Sequence, residues 1–246
     1  MIYLTIYSAD LHNHSSIGGN DVFPYCSNSN QMVKTAHEKG IKFFSLSEKE
    51  NPIEAYYRIE KLCKDLGMLA VPAQEVSSYD GDMLGIGITE RIENPRKYSC
   101  FEIADMIKER AGKAVATHPN HPGSLSREMV LDMYRNNKIV AGDFITGAVD
   151  YFLKSHHDRN LSWAKKNGVP ILGFSDAKTV NQVGTCTTLY ELEEFDIEHL
   201  LKKIEQPVGI IRRPSLRASI EKTFQTYRPN KNGMKGLVNR ALDYIF

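Results

Sequence analysis

Short apolar runs alternate with amphipathic stretches along most of the chain. Ile2 to Tyr7 reads as a strand running into Asp10-Leu11-His12, followed by a Gly/Asn/Ser-rich loop from Ser15 to Asn30. The pattern predicts a helix over Gln31–Lys39, stopped by Gly40, and a buried strand over Ile41–Leu46. Asn51-Pro52-Ile53-Glu54 predicts a helix start, with Asn as the cap, Pro at the first helical position and Glu54 closing a capping box. Apolar residues at helical spacing (Ile59, Leu62, Cys63, Leu66) carry that helix to Gly67. Strands are expected at Met68–Pro72 and Asp82–Ile88, and Ser99 with Glu102 forms a second capping box for a helix to Ala111. A strand over Ala114–Thr117, a helix over Leu125–Asn136 and a strand within Ile139–Val149 come next. A helix over His157–Asn167, strands at Val169–Phe174 and Thr185–Leu189, and a helix capped by Asp196 complete the pattern. Such alternation argues for a parallel sheet, either open and doubly wound or closed into a barrel. Periodicity does not separate the two. No GxGxxG follows the first strand, and neither a P-loop nor a GxSxG is present.

Composition narrows the class. The 246 residues are 41% hydrophobic and 25% charged, a globular balance that excludes an extended disordered chain. No apolar run approaches a membrane span, so no membrane partner is expected. The N-terminus lacks the charged and apolar regions of a signal peptide. Four scattered cysteines without a CxxC fit a reducing cytoplasm and ordinary buried thiols. Net charge is +1, but the segment from Pro207 onward carries eight Lys/Arg against two acids. The expected division is therefore a domain over 1–206 and a basic extension over 207–246, which packs on the domain or is partly flexible. The extension includes Phe224, Tyr227 and an amphipathic stretch over Met234–Phe246, and it keeps nucleic acid open as a partner.

Metal-binding residue types recur at the C-terminal ends of the predicted strands. His12 and His14 follow the first, Glu48 and Glu50 the second, and Glu75 the third; His118 and His121 follow the Ala114–Thr117 strand, and Asp176 follows Val169–Phe174. In α/β folds these ends converge on one face, where sites form. Histidine nitrogens with bridging carboxylates suit Zn, Mn or Fe. The competing reading is a polar rim of hydrogen-bonded histidines and salt-bridged acids.

Four of these segments resemble, in order, the motifs of the PHP (polymerase and histidinol phosphatase) family. They are Asp10-Leu11-His12-Asn13-His14-Ser15, Pro72-Ala73-Gln74-Glu75-Val76, Ala116-Thr117-His118-Pro119 and Gly173-Phe174-Ser175-Asp176-Ala177. The resemblance covers about residues 3–190, and Thr185–Glu205 is similar to the strand and helix that follow in PHP-associated regions. It implies an α/β fold, a distorted (β/α)7 TIM-like barrel, with a metal centre at the strand ends that hydrolyses phosphoesters. One metal would be held by His12, His14, Glu75 and Asp176, and a second would share Glu75 and add His118. The expected cofactors are one or two divalent ions of Mn, Fe or Zn.

The chain departs from the family pattern where Ser47-Glu48-Lys49-Glu50 replaces Thr-Asp-His-Asp, and where Lys178 stands in place of a histidine. A further glutamate is missing near Ile145-Thr146, and His121, His156 and His157 are candidate substitutes. In the family, the two histidines that Lys49 and Lys178 replace help bind a third metal; a protonated lysine ligates none, so that metal is expected to be lost. Lys49 and Lys178 then either supply that charge to a substrate phosphate, or pair with Glu48 or Glu50 in a decayed site. Asp10 is expected to orient His12 or His14, Glu48 is a candidate for proton transfer, and Arg212-Arg213 is a candidate phosphate clamp. The expected function is hydrolysis of a phosphomonoester or phosphodiester, on a phosphorylated small molecule or nucleotide, in the cytoplasm. A non-catalytic barrel and a nucleic-acid-processing protein are the alternatives. An amidohydrolase-type enzyme also uses His-x-His and would be an equal alternative without the Glu75 and Asp176 motif matches.

Overall fold

The computed structural model describes residues 4–17, 26–121, 123–147, 150–213 and 215–219. The side chains of 150–154 and 156 are outside that description, as are Phe224, Tyr227 and the Met234–Phe246 stretch. The first half of the described chain runs β1 (Thr5–Asp10), α1 (Ser29–Glu38), β2 (Phe43–Phe44), α2 (Pro52–Asp65), β3 (Leu69–Ala70), β4 (Ala73–Ser77) and β5 (Asp82–Ile86). A 3-10 turn at Pro95–Lys97 precedes α3 (Cys100–Glu109), β6 (Lys113–Thr117), α4 (Arg127–Arg135), β7 (Ala141–Thr146) and α5 (Asp150–Asn167). The remainder is β8 (Ile171–Phe174), β9 (Cys186–Leu192), α6 (Ile197–Lys203) and β10 (Gly209–Arg212). α5 thus begins at Asp150, not at His157.

Local chemistry accounts for several boundaries. The box at α3 forms fully: the Ser99 hydroxyl accepts from the Glu102 N–H, and the Glu102 carboxylate accepts from the Ser99 N–H. The box expected at α2 does not form. Asn51 makes no side-chain cap; its amide donates to the Ile17 carbonyl at 3.4 Å, and Glu54 pairs with Arg58 one turn on. Pro72 splits the predicted Met68–Pro72 strand, because it has no N–H to donate, and its carbonyl accepts from Gly87 at 2.7 Å.

The expected parallel sheet is found in part. Strand pairing makes two five-stranded mixed sheets, β10-β9-β1-β2-β3 and β4-β5-β6-β7-β8, not one continuous ring of ladders. β1-β2-β3 and β6-β7-β8 are parallel, whereas β4-β5, β5-β6, β1-β9 and β9-β10 are antiparallel. The physical reason at β4-β5 is the connection length. Only Ser78–Gly81 separates the two strands, which allows a hairpin and forbids a crossover. β10 lies within the basic extension and pairs with β9.

Both sheets contribute to one inner apolar layer. It contains Ala9 and Phe43 from the first sheet and Leu84, Val115, Leu172 and Phe174 from the second, with Tyr190, Leu200 and Ile204. Alternation along β6 sends Val115 inward and Ala114 and Ala116 to the layer under α3, α4 and α5. α1 and α2 cover β2 and β3 through Met32, Val33, Phe44, Ile59 and Cys63.

Side chains join β8 to β9 across the two sheets. The Thr188 hydroxyl accepts from the Gly173 N–H at 3.0 Å and donates to the Gly173 carbonyl at 2.9 Å. A Cβ at Gly173 would lie 2.7 Å from the Cys186 sulfur, so glycine permits this approach. Asp10 extends the same seam. Its carboxylate accepts from the Ser175 N–H at 2.9 Å, the Ser175 hydroxyl at 2.6 Å and the Gly184 N–H at 3.1 Å. Burial pushes its pKa up to about 6 while these donors pull it down. Asp10→Ala leaves two buried N–H donors short of an acceptor, while the Ser175 hydroxyl keeps the Cys186 carbonyl, and is expected to lower stability by about 2–4 kcal/mol. Urea denaturation reads this directly, and an unchanged midpoint would show that Asp10 does not hold the seam.

Candidate metal centre

β1 runs straight into His12-Asn13-His14, and extended alternation separates their roles. Asn13 turns into the frame: its amide donates to the Asp10 and Ser45 carbonyls, and its oxygen accepts from the Ala177 N–H. The His14 N–H donates to the Ala177 carbonyl at 2.8 Å. The two imidazoles are thereby set beside the loop that carries Asp176. Glu75 and Ser77 share one face of β4, and the pairing of Ser77 with Asp82 puts Asp82 on that face too. The hairpin turn needs glycine at 81, where φ is +150° and a Cβ would meet the Leu125 nitrogen at 2.7 Å. His118 follows β6 directly and Asp176 comes one residue after β8, and both adopt positive φ, at 30° and 46°. Non-glycine residues seldom hold that conformation, and those that do concentrate at functional sites.

These elements bring five predicted residues together. His12 Nε2 lies 3.7 Å from Glu75 Oε1 and 3.7 Å from Asp176 Oδ1. His14 Nε2 lies 3.0 Å from Glu75 Oε2 and 3.5 Å from Asp176 Oδ1. His118 Nε2 is 3.4 Å from Glu75 Oε1. Ligand atoms of His12, His14 and Glu75 fall within 4.8 Å of one another, as do those of His12, His118 and Asp176 and those of Glu75, Asp82 and His118. His12 Nε2 and both ring nitrogens of His14 are buried without a hydrogen-bond partner. Buried polar atoms are almost always partnered, so these nitrogens fit a cation held against the two carboxylates.

The electrostatics agree. Burial opposes charge on His12, yet Asp176, Asp143 and Glu75 together push its pKa up to about 10. Burial also opposes charge on Glu75, but Lys49 and the three histidines hold its carboxyl well below the usual range. The carboxylates therefore draw positive charge into this space.

The lysines are placed differently from the expectation that they pair with Glu48 or Glu50. Lys49 Nζ lies 2.9 Å from Asp82 Oδ2, 2.9 Å from Ser77 Oγ and 3.5 Å from Glu75 Oε2. Burial lowers its proton affinity, and Glu75 and Asp82 more than reverse that, raising its pKa above the usual lysine value. Lys178 Nζ is 2.8 Å from Asp176 Oδ1. Both ammonium groups thus meet the carboxylates that face the histidines. Glu50 lies 3.5 Å from Arg91, and Glu48 Oε1 accepts from the Ser15 N–H at 2.6 Å and the Ser15 hydroxyl at 2.8 Å. Glu48 is fully buried, with Oε2 3.7 Å from His14 Nδ1, a place suited to holding that ring.

Asp10 is bonded to Ser175 and Gly184 and does not orient a histidine; the carboxylate on His12 Nδ1 is Asp143, at 3.1 Å. Sequence reasoning passed over Asp143. A single acid inside the buried strand AGDFIT was the available signal. Asp82 and Ser124, whose hydroxyl lies 2.6 Å from His118 Nδ1, carried no comparable signal. Arg212 reaches toward Asp158 at 3.9 Å, and Arg213 donates to the Gly184 carbonyl, so these contacts do not join them to the cluster. The His121 ring lies 6.0 Å from that of His118. His157 is buried on α5, and the side chain of His156 is outside the described residues.

A family model for PHP-associated sequences matches residues 154–206. An uncharacterized protein of Methanocaldococcus jannaschii is 30% identical over 120 residues, covering 46% of this chain and 68% of that protein. The chain belongs to the PHP domain family. Its fold is similar to a two-domain protein of Bacteroides vulgatus that contains a PHP-like metal-dependent phosphoesterase, with a TM-score of 0.64 at 15% identity over 82% of this chain. It is also similar to a lesion-specific endonuclease Q of Pyrococcus furiosus, with a TM-score of 0.59 at 18% identity over 83% of this chain. This PHP chain spans 63% and 57% of those two proteins. The region matched by the PHP-associated model contains both Asp176 and Lys178. Among the described residues, no helix is long and apolar enough to cross a membrane.

Carboxylates that hold a ligating histidine by its other nitrogen set its tautomer and basicity. Asp143→Ala is therefore expected to weaken Mn or Zn binding by about 10–100-fold, as read by calorimetric titration. Unchanged affinity would reduce Asp143 to a packing role.

Proposed function

We propose that this chain is a metal-dependent phosphoesterase. The observation that carries the reading is the set of buried histidine nitrogens without hydrogen-bond partners, aimed at Glu75 and Asp176. His12, His14, Glu75 and Asp176 would hold one divalent ion of Mn, Fe or Zn, and Glu75 with His118 offers donors toward a second. When bound, such an ion supplies Lewis acidity, which lowers the pKa of water and offsets charge growing on phosphoryl oxygens. Asp143 and Ser124 hold the rings of His12 and His118 by their Nδ1 atoms. Lys178 and Lys49 place ammonium groups at the edge of the same carboxylates, where they can donate to a phosphoryl oxygen. In fold terms, the two sheets are read as the halves of a distorted (β/α)7 TIM-like barrel whose strand ends carry the site.

The substrate class is a phosphomonoester or phosphodiester of a small molecule or nucleotide. A second reading, action on a DNA strand, is favoured by the fold shared with the Pyrococcus furiosus lesion-specific endonuclease.

Two measurements test this. Metal content by elemental analysis, followed by a panel of aryl phosphomonoesters, aryl phosphodiesters and abasic-site duplex DNA, reads cation and substrate together. The His12→Ala/Glu75→Ala variant is expected to bind no metal and to hydrolyse nothing. A protein that takes up neither Mn, Fe nor Zn would instead be a non-catalytic member of the fold. Lys178→Ala is expected to lower kcat/KM for phosphoesters by about 10–100-fold, the size of one lost charge-assisted hydrogen bond, while leaving metal content intact. Unchanged kinetics would remove Lys178 from the substrate site.

A further inference from the structure

The β4-β5 hairpin builds a second cation pocket beside the histidine pair. Glu75 stands two residues before Ser77 on one face of β4, and Asp82 stands across from Ser77 on β5. Ligand atoms of Glu75, Asp82 and His118 lie within 4.8 Å of one another. The Lys49 ammonium reaches into this pocket. It donates to Asp82 at 2.9 Å and Ser77 at 2.9 Å and pairs with the Glu75 carboxylate at 3.5 Å. An ammonium offers three donors and no lone pair, so Lys49 cannot ligate a metal. A divalent ion between Glu75, Asp82 and His118 would share the Glu75 and Asp82 carboxylates with the Lys49 ammonium, and the two cations would repel.

We propose that Lys49 is a protein-borne cation occupying a subsite of Glu75, Asp82 and His118, so that the centre takes a single divalent ion at His12, His14, Glu75 and Asp176. The inference rests on the metal-centre reading above and narrows it from two ions to one. It assigns Asp82 a role as the counter-charge that keeps Lys49 in place. It also divides the chemistry. An ion held by His12, His14, Glu75 and Asp176 would supply the acidity toward water, whereas Lys49 donates hydrogen bonds and neutralises charge. With about a third of its side chain exposed, Lys49 meets the open side of the cluster, where a phosphoryl group would enter.

The test counts metal. Wild type, Lys49→Met and Lys49→Met/Asp82→Asn are saturated with Mn(II), freed of unbound metal by gel filtration and analysed for elements, with circular dichroism and melting as fold controls. Wild type is expected to hold one ion, Lys49→Met to double that, and the double variant to return to the wild-type count. Lys49→Gln serves where Lys49→Met does not fold. Electron paramagnetic resonance of the unmutated protein gives an answer that needs no variant: isolated Mn(II) lines are expected. A spin-coupled Mn pair or two ions per wild-type chain would overturn the proposal, as would a folded Lys49→Met that still holds one. If wild type holds none while Lys49→Met gains one that Asp82→Asn abolishes, the Lys49 subsite stands and the histidine-side reading falls. If neither binds metal, both fall.

Discussion

A carboxylate buried at the meeting point of the strand ends constrains the rest of this molecule. Glu75 is almost wholly removed from water, and a carboxylate there needs positive charge and hydrogen-bond donors close by. Three histidines and one lysine surround it, drawn from the ends of β1, β2 and β6. Asp176 adds a second carboxylate within reach of His12 and His14, which deepens the demand for a cation. A histidine proton, a lysine ammonium and a metal ion are three ways of meeting that demand. The chain commits Lys49 and Lys178 to part of it and leaves buried histidine nitrogens without hydrogen-bond partners beside the rest.

The architecture serves this cluster by giving up regular pairing where the cluster lies. The ladders stop at two sheets, and the seam between β8 and β9 is carried by the Thr188 hydroxyl and the Asp10 carboxylate. Asp10 is bonded on one side to Ser175, the residue before Asp176, and on the other to Gly184. The residue that closes the seam is thus the one that sets the backbone of a candidate ligand. The positive φ at His118 and Asp176 belongs to the same economy of position: each turns sharply at a strand end to bring its side chain back over the sheet.

Much of this was legible along the chain. Alternation in His12-Asn13-His14 places two imidazoles on one side, whatever the surroundings. The box of Ser99 and Glu102 formed as written because its two hydrogen bonds are local. The box of Asn51 and Glu54 did not, because a distant carbonyl at Ile17 and a nearby arginine at 58 offered competing partners. The same distinction separates Lys49 and Lys178 in the site. Proximity in sequence suggested Glu48 and Glu50, but Glu48 was already committed to Ser15, across the strands.

The sequence by itself determined the residue types at the strand ends, the order in which they arrive and the periodicity that points them inward. Those follow from local sterics and from the two-residue repeat of an extended chain. Only the tertiary structure decided that Asp143 rather than Asp10 holds His12, that Asp82 joins Glu75 around Lys49, and that the sheets are mixed. Each of those pairings joins groups far apart along the chain or opposed across strands. Their energies depend on distances of a few ångströms and on exclusion of water, neither of which exists until the two sheets have closed on their common core.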